Sequence, residues 1–307
     1  MPEASETHPT TDHAGWPALP VAGWQDTRDT LQLWSQVVGK TALALAPPLN
    51  HWWGVTFRVT ASGLATPLLP LADGRGLEVA FDLVDHQLDL ATTDGRRRTM
   101  RLEPRSVADF FAEYRTHLTD LDVDVPLDPR PVELAEVIPF DVDREHAAYD
   151  AEAVRAFFTS LVSASSVLST FRAEFRGKAS PVHVFWGAFD LAVTRFSGRS
   201  APQHPGGVPN CPDRVMHEAY DAELASCGYW PGGREEGAFY AYAYPEPAGY
   251  REAELSTPDA AFDTDLGEFV LPYASVRTSS DPTRTLLAFL RETSQLAADL
   301  ADWPPTA

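Results

Sequence analysis

The chain has 307 residues, with 24 Lys+Arg against 44 Asp+Glu, a formal net charge of −20 and a hydrophobic fraction of 44%. This is the composition of a folded chain of one large or two ordinary domains, at roughly 100–200 residues each, and it excludes a disordered polymer. The charge argues against DNA, RNA or an anionic membrane as partner, and two cysteines, Cys211 and Cys227, exclude a disulfide scaffold and point to a reducing compartment.

Met1 to Gly15 is polar and carries Glu3, Glu6 and Asp12 without Lys or Arg. A signal peptide needs a basic start and an apolar core. Residues 1–18 therefore read as a disordered tail, and the cytoplasm as the default location. Asp26 then suits an N-cap, with Asp29 three residues on. Leu31, Trp34 and Val38 recur at helical spacing, and Gly39 suits the position just past a helix end. The uncharged stretch 41–57 contains Pro47, Pro48, Asn50 and His51, so no membrane-spanning helix is expected there.

Strand-like runs follow at 52–60, 64–69, 77–84 and 86–92. Leu77, Val79, Phe81 and Leu83 alternate with Glu78, Ala80 and Asp82, as in a sheet with one buried face. Asp94-Gly95 is a hairpin turn pair before a further strand near 98–102. Ser106 and Asp109 form a capping box for a helix with Phe110, Tyr114 and Leu118 on its apolar face.

From Asp120 to Asp150 the chain carries ten acids, Glu133 and Asp141 among them, against Arg130 and Arg144. Pro126, Pro129, Pro131 and Pro139 also fall here, and proline breaks regular structure. Residues 126–149 read as an acidic linker between an N-terminal half, 19–125, and a C-terminal half, 150–303. In the second half Asp150 caps a helix with Val154, Phe157, Leu161, Leu168 and Phe171. Strands are predicted at 182–185, 190–196, 239–244 and 268–271, and a helix at 213–226. Asp281-Pro282 opens the last helix.

Both halves thus read as helix, antiparallel strands, helix. The expected fold is α+β: two α/β halves, each an antiparallel sheet flanked by helices. Gly39-Lys40, His51 and Trp53-Gly54 are echoed by Gly177-Lys178, His183 and Trp186-Gly187. An ancient duplication and a chance likeness both account for that echo.

The basic residues are 22 Arg and two Lys, Lys40 and Lys178. In so Arg-rich a chain, a retained Lys marks a place for a compact ammonium, or a chance survivor. The densest inventory for chemistry runs from Lys178 through Ser180, His183, Trp186 and Asp190 to Arg195. His183 with Asp190 has the makings of a base and its orienter, and Lys178 or Arg195 of an oxyanion holder. Ser180 precedes a proline and lacks a nucleophile elbow. A turn-rich segment holding His204, Gly206-Gly207 and Asn210 follows, long enough to serve a site. Asp141, Asp143, Glu145 and His146 have the chemistry of cation ligands or of a solvated linker. The spacing of His204, Cys211, His217 and Cys227 matches no zinc pattern. Tyr240, Tyr242 and Tyr244 share one strand face, either a stacking surface for a flat ligand or ordinary half-buried packing.

The runs Leu45-Ala-Pro-Pro-Leu-Asn-His-Trp-Trp53, Arg105-Ser-Val-Ala-Asp-Phe110, Pro139-Phe-Asp141, Ser180-Pro-Val-His183, Phe185-Trp-Gly187, Asp190-Leu-Ala-Val-Thr-Arg-Phe-Ser-Gly198 and His204-Pro-Gly-Gly-Val-Pro-Asn210 resemble an uncharacterised bacterial family, a domain of unknown function. The resemblance spans Trp16 to Trp303. It implies no activity, cofactor or catalytic residue.

The expectation is a pocket between the halves, binding a small anionic molecule and suited to hydrolytic or acid–base chemistry. His183, Asp190 and Lys178 would be its catalytic set. Lys40, His51, Trp186, Arg195, His204 and Asn210 would bind the ligand. No metal site is expected, and cofactor and oligomeric state are open. The rival is a non-catalytic interaction module with an exposed Trp and Tyr face.

Overall fold

The computed structural model describes residues 13–304. Met1 to Asp12, most of the expected tail, lies outside them. Residues 13–18 are docked rather than loose. Trp16 is buried between Phe239 and Tyr273, with ring centroids 6.2 and 6.0 Å away.

Helix α1 spans Val21–Leu45. The first sheet comprises β1 Arg58–Val59, β2 Gly63–Ala65, β3 Leu69–Pro70, β4 Gly76–Asp82, β5 Gln87–Thr92 and β6 Arg97–Arg101. Helix α2, Val107–Asp120, follows. The order is β1-β2-β4-β5-β6, with β3 also on β4, and every pairing is antiparallel. The alternation at Leu77, Val79 and Phe81 buries one face of β4, as expected. Ser106 caps α2 by accepting from the Asp109 N–H at 3.1 Å. Trp34 of α1 then stacks on Phe110 of α2 at 4.8 Å.

The second half starts with α3, Ala151–Ala173. Asp150 caps it, accepting from the N–H groups of Glu152 and Ala153 at 2.9 and 3.2 Å. There follow β7 His183–Phe185, β8 Asp190–Ser200, α4 Asp213–Ala219, β9 Ala222–Trp230, β10 Ala238–Tyr244, β11 Ala261–Asp263, β12 Glu268–Pro272, α5 Tyr273–Arg277 and α6 Pro282–Leu300. This sheet is also antiparallel, in the order β11-β12-β10-β9-β8-β7. Helices α3 and α6 pack on it. The architecture is α+β with two six-stranded sheets. Phe57 and Val184 bridge the sheets, with N–H···O distances of 3.0 and 2.9 Å. One hydrophobic core runs through both halves.

Three local expectations change. Gly39 does not end α1; the helix runs on to Leu45, because the bare backbone at Gly39 seats the Trp186 ring. A Cβ there would lie 2.2 Å from Trp186 Cδ2. Gly177 does follow a helix, so the two Gly-Lys pairs sit in unlike structure. The helix read at 213–226 stops at Ala219, and β9 starts at Ala222, since small residues at 222, 225 and 226 fit a buried central strand. The strand read at 52–60 shrinks to β1, preceded by a 3-10 turn at Asn50–Trp52 in which His51 and Trp52 have φ of 61° and 52°.

Residues 126–149 hold no helix or strand, as their prolines dictate. They are nonetheless packed, with Val132, Phe140 and Asp143 buried. Gln36 of α1 anchors them. Its amide accepts from Val132 N–H at 2.8 Å and donates to the carbonyls of Val132 and Gly187 at 3.0 and 3.1 Å. Replacing Gln36 by Leu strands the N–H and C=O of Val132, while Gln32 keeps the Gly187 carbonyl bonded at 2.7 Å; each group left unpaired costs about 1–3 kcal/mol. We expect Gln36→Leu to lower unfolding stability by about 2–4 kcal/mol in urea titration. A loss under about 0.5 kcal/mol, the range of an ordinary surface substitution, would show the clamp to be dispensable.

Candidate functional site

Alternation divides the second sheet. Phe239 and Ala241 of β10 are buried on its helix side. Tyr240 and Tyr242 face the other way and floor a cavity of about 360 Å³. Asp190 and Ala192 of β8, Ser226 and Trp230 of β9, and Glu268 and Val270 of β12 share that face. His51, Trp52, Glu133, Val208, Cys211, the α4 residues Val215, Met216 and Ala219, and Tyr220 just after α4 close it from above. The volume falls in the range of small-molecule sites, roughly 300–1,000 Å³.

Three carboxyls enter this mostly apolar space. Burial pushes Asp190 up to about 6, against the opposing hydrogen bond from the Tyr240 hydroxyl. Glu133 is pushed up to about 7 by burial and then by the Asp190 charge. Glu268 is also pushed up to about 7, by burial, then Asp190, then Asp263. Neither glutamate's carboxyl makes a hydrogen bond or ion pair among the described residues. The basic side chains lining the cavity are His51 and Arg234. Burial draws His51 down to about 4, so it is neutral at pH 7. Arg234 is held by Asp263.

Glu133 is placed by unusual backbone. Its φ is 60°, a conformation that costs a side-chain-bearing residue free energy. Its N–H donates to Pro209 O at 2.8 Å. Its carboxylate fills the space where Gly187 has no side chain; a Cβ there would lie 2.2 Å from Glu133 Oε1. Phe189, φ 63°, turns the chain directly before Asp190. Tyr220 and Tyr242 join hydroxyls at 2.8 Å.

The structure brings together two of the residues expected from sequence, Asp190 and His51. His204 stands behind the wall, its ring 4.6 Å from Tyr220, and its Nδ1 accepts from Gly206 N–H at 3.0 Å. Asn210 donates to Leu134 O at 2.7 Å and so ties the loop to the irregular segment holding Glu133. Trp186 is core, donating to Val55 O at 3.0 Å. His183 is 1% exposed. Its Nδ1 meets Thr56 Oγ1 at 2.9 Å, its Nε2 has no partner among the described residues, and burial draws it down to about 3. The pairing of His183 with Asp190 as base and orienter is therefore not formed. Residues 183 and 190 sit at staggered positions of the β7–β8 ladder, where His183 opposes Ala192.

The expected cations lie elsewhere too. Arg195 is buried over the Phe171 ring at 3.4 Å and donates to Ser294 Oγ at 3.1 Å. Lys178 is exposed, 5.6 and 5.9 Å from the rings of Phe196 and Trp53. Lys40 lines a separate cavity, together with Asn210. Ser180 is spent on backbone, accepting from Thr194 N–H at 2.9 Å. In the acidic run, Asp143 accepts from the N–H groups of Glu145 and His146 and meets the His146 ring at 2.8 Å, which makes it a loop staple. Among the described residues no group of three or more His, Cys, Asp or Glu is arranged to hold a metal ion. Glu133 and Glu268 escaped the sequence reading. Glu133 was one acid in a run of ten, and only its neighbour Pro131 hinted at fixed backbone.

Residues 16–307 match the model of a family of unknown function, DUF5996. The chain belongs to that family. No curated protein and no solved structure matches it. Membership carries no activity to these residues, so the chemistry rests on the carboxyls themselves.

Two measurements check that chemistry. The Tyr240 hydroxyl lowers the Asp190 pKa, so Tyr240→Phe should raise it above about 6, read by carboxyl ¹³C NMR; an unchanged or lower value would refute the contact. Glu133 has a folded pKa of about 7, raised from 4.5. Its stabilising protonated form is fully present below 4.5, and that stability is lost as pH rises through 7. Glu133→Gln should therefore raise Tm at pH 8 by about 2–4 °C more than at pH 4, in differential scanning calorimetry. An equal shift at both pH values would mean that the carboxyl is solvated.

Proposed function

We propose that the chain binds a small organic cation, a protonated amine on a flat or apolar body, in the cavity above Tyr240 and Tyr242. The observation that carries this is the convergence of Asp190, Glu133 and Glu268 without a paired cation. A bound ammonium would relieve their mutual repulsion and draw protons off them. The tyrosines, Trp230 and Phe185 offer faces for the body of the ligand and for cation–π contact. The sequence pointed to an anion because of Lys40, Lys178 and Arg195, and none of these lines the cavity.

Acid–base catalysis is the second reading. Carboxyls held at about 7 suit proton transfer near neutral pH. In that case Glu133 and Glu268 would act on the substrate, with Asp190 holding their pKa values up. The free, buried Cys211 and Cys227 fit a cytoplasmic protein. Helix α3 is long and apolar enough to cross a membrane, yet its Phe157, Leu161, Leu168 and Phe171 are buried in the core.

Benzylamine and its neutral isostere benzyl alcohol separate charge from shape. By calorimetry at pH 8, benzylamine should bind at least tenfold more tightly, and Asp190→Asn should remove that advantage, worth about 1.4 kcal/mol. In a second titration at about pH 7, where Glu133 and Glu268 are about half protonated, binding should release protons, seen as a heat that depends on the ionisation enthalpy of the buffer. Equal affinity for the two compounds would overturn the reading.

A further inference from the structure

A second cavity, of about 760 Å³, opens where the two halves meet the acidic segment. It shares Trp52 and Cys211 with the first but has the opposite charge. Lys40, near the C-terminal end of α1, is 7% exposed. Among the described residues its ammonium makes no hydrogen bond and a single ion pair, with Asp128 Oδ2 at 4.0 Å. Asp128 is better matched to Arg130, at 3.3 Å. Arg214 also lines the cavity and, among the described residues, makes no ion pair. Three cations therefore face one carboxylate, in a chain of net charge −20. Pro47, Pro48 and Leu49 form an apolar side, and Leu49 is 52% exposed.

The stem of Lys40 is buried and its ammonium opens on the cavity, partly shielded from water. Burial draws the Lys40 pKa down, with Asp128 opposing only in part. Lysine is also rare here, being one of two in the chain. Arginine would reach further and fork, whereas a compact ammonium fits a narrow, deep position. We propose that this cavity is a binding site for a small organic anion, a carboxylate or phosphate monoester on an apolar body, with Lys40 as the central contact and Arg130 and Arg214 at the rim. The anion would supply the hydrogen bonds that the ammonium lacks. This site is independent of the amine reading of the first cavity.

The probes are phenyl phosphate and benzoate, with benzyl alcohol as the neutral control, titrated into the full chain by calorimetry. At least one anion should bind tenfold or more tightly than the alcohol, and comparison of the two identifies the headgroup. Lys40→Met should weaken that binding at least tenfold while leaving Tm unchanged or higher, because it removes a charge that partial burial disfavours. Asp128→Asn should tighten anion binding, since it removes the competing carboxylate. Benzylamine binding should survive both substitutions. Equal affinity for anions and alcohol, or full anion binding by Lys40→Met, would overturn the proposal. So would a fall in Tm for both variants together with no gain in affinity for Asp128→Asn, which would make Lys40 and Asp128 a structural pair.

Discussion

Trp186 lies against Gly39, and much of the site hangs on that contact. The indole occupies the space a side chain on α1 would take, which lets the turn after β7 press directly on the helix. Gln32 and Gln36 of the same helix then bond the Gly187 carbonyl, at 2.7 and 3.1 Å. The turn is thereby fixed from its first residue to Phe189, and Asp190 emerges from it in one orientation. Gly187 in turn leaves room for Glu133. One helix face therefore sets the positions of two acids that lie about 150 residues from it or in a segment with no regular structure of its own.

Keeping those acids together is unfavourable. Each is raised by burial, and Asp190 raises the other two further. A fold selected for stability alone would exchange one for an amide or pair it with an arginine, and arginine is plentiful here. Arg234 is near enough to line the cavity yet is engaged by Asp263. The backbone carries a matching cost. Among the described residues, nine other than glycine have left-handed φ, and His51, Trp52 and Glu133 of these line the cavity while Phe189 and Asn210 adjoin its lining. Strain and unpaired charge gathered at one place are what support the functional reading of this cavity.

Local chemistry was legible in the sequence wherever it was decided within a few residues. Ser106, Asp150 and Asp281 cap helices as their positions suggest. The alternation in β4 and in β10 correctly assigns faces, including the tyrosine face that floors the cavity. What failed depended on distant partners. Gly39 looked like a helix end because nothing local reveals an indole arriving from residue 186. Lys178 and Arg195 looked like site cations because they are near Asp190 in sequence, but strand geometry turns Arg195 to α3 and α6 and leaves Lys178 outside. Glu133 was invisible because its neighbours in sequence are also acids; only the fold separates the one carboxylate that turns inward from those that face water.

The net charge of −20 is thus a poor guide to what the chain attracts. Solvated surface acids are screened within about 10 Å at ordinary ionic strength, whereas charges inside a cavity act at short range through little water. Two cavities with a common wall at Trp52 and Cys211 carry opposite signs: Asp190, Glu133 and Glu268 on one side, Lys40, Arg130 and Arg214 on the other. Glu133 and Lys40 both act on the Cys211 thiol between them, in opposite directions, and burial with the Glu133 charge carries it up to about 11. Neutralising either cavity would therefore alter the field felt in the other. A cation held among the acids would lower the Lys40 pKa, and an anion beside Lys40 would raise those of the acids, so each charge would oppose the ionisation on the far side of the shared wall.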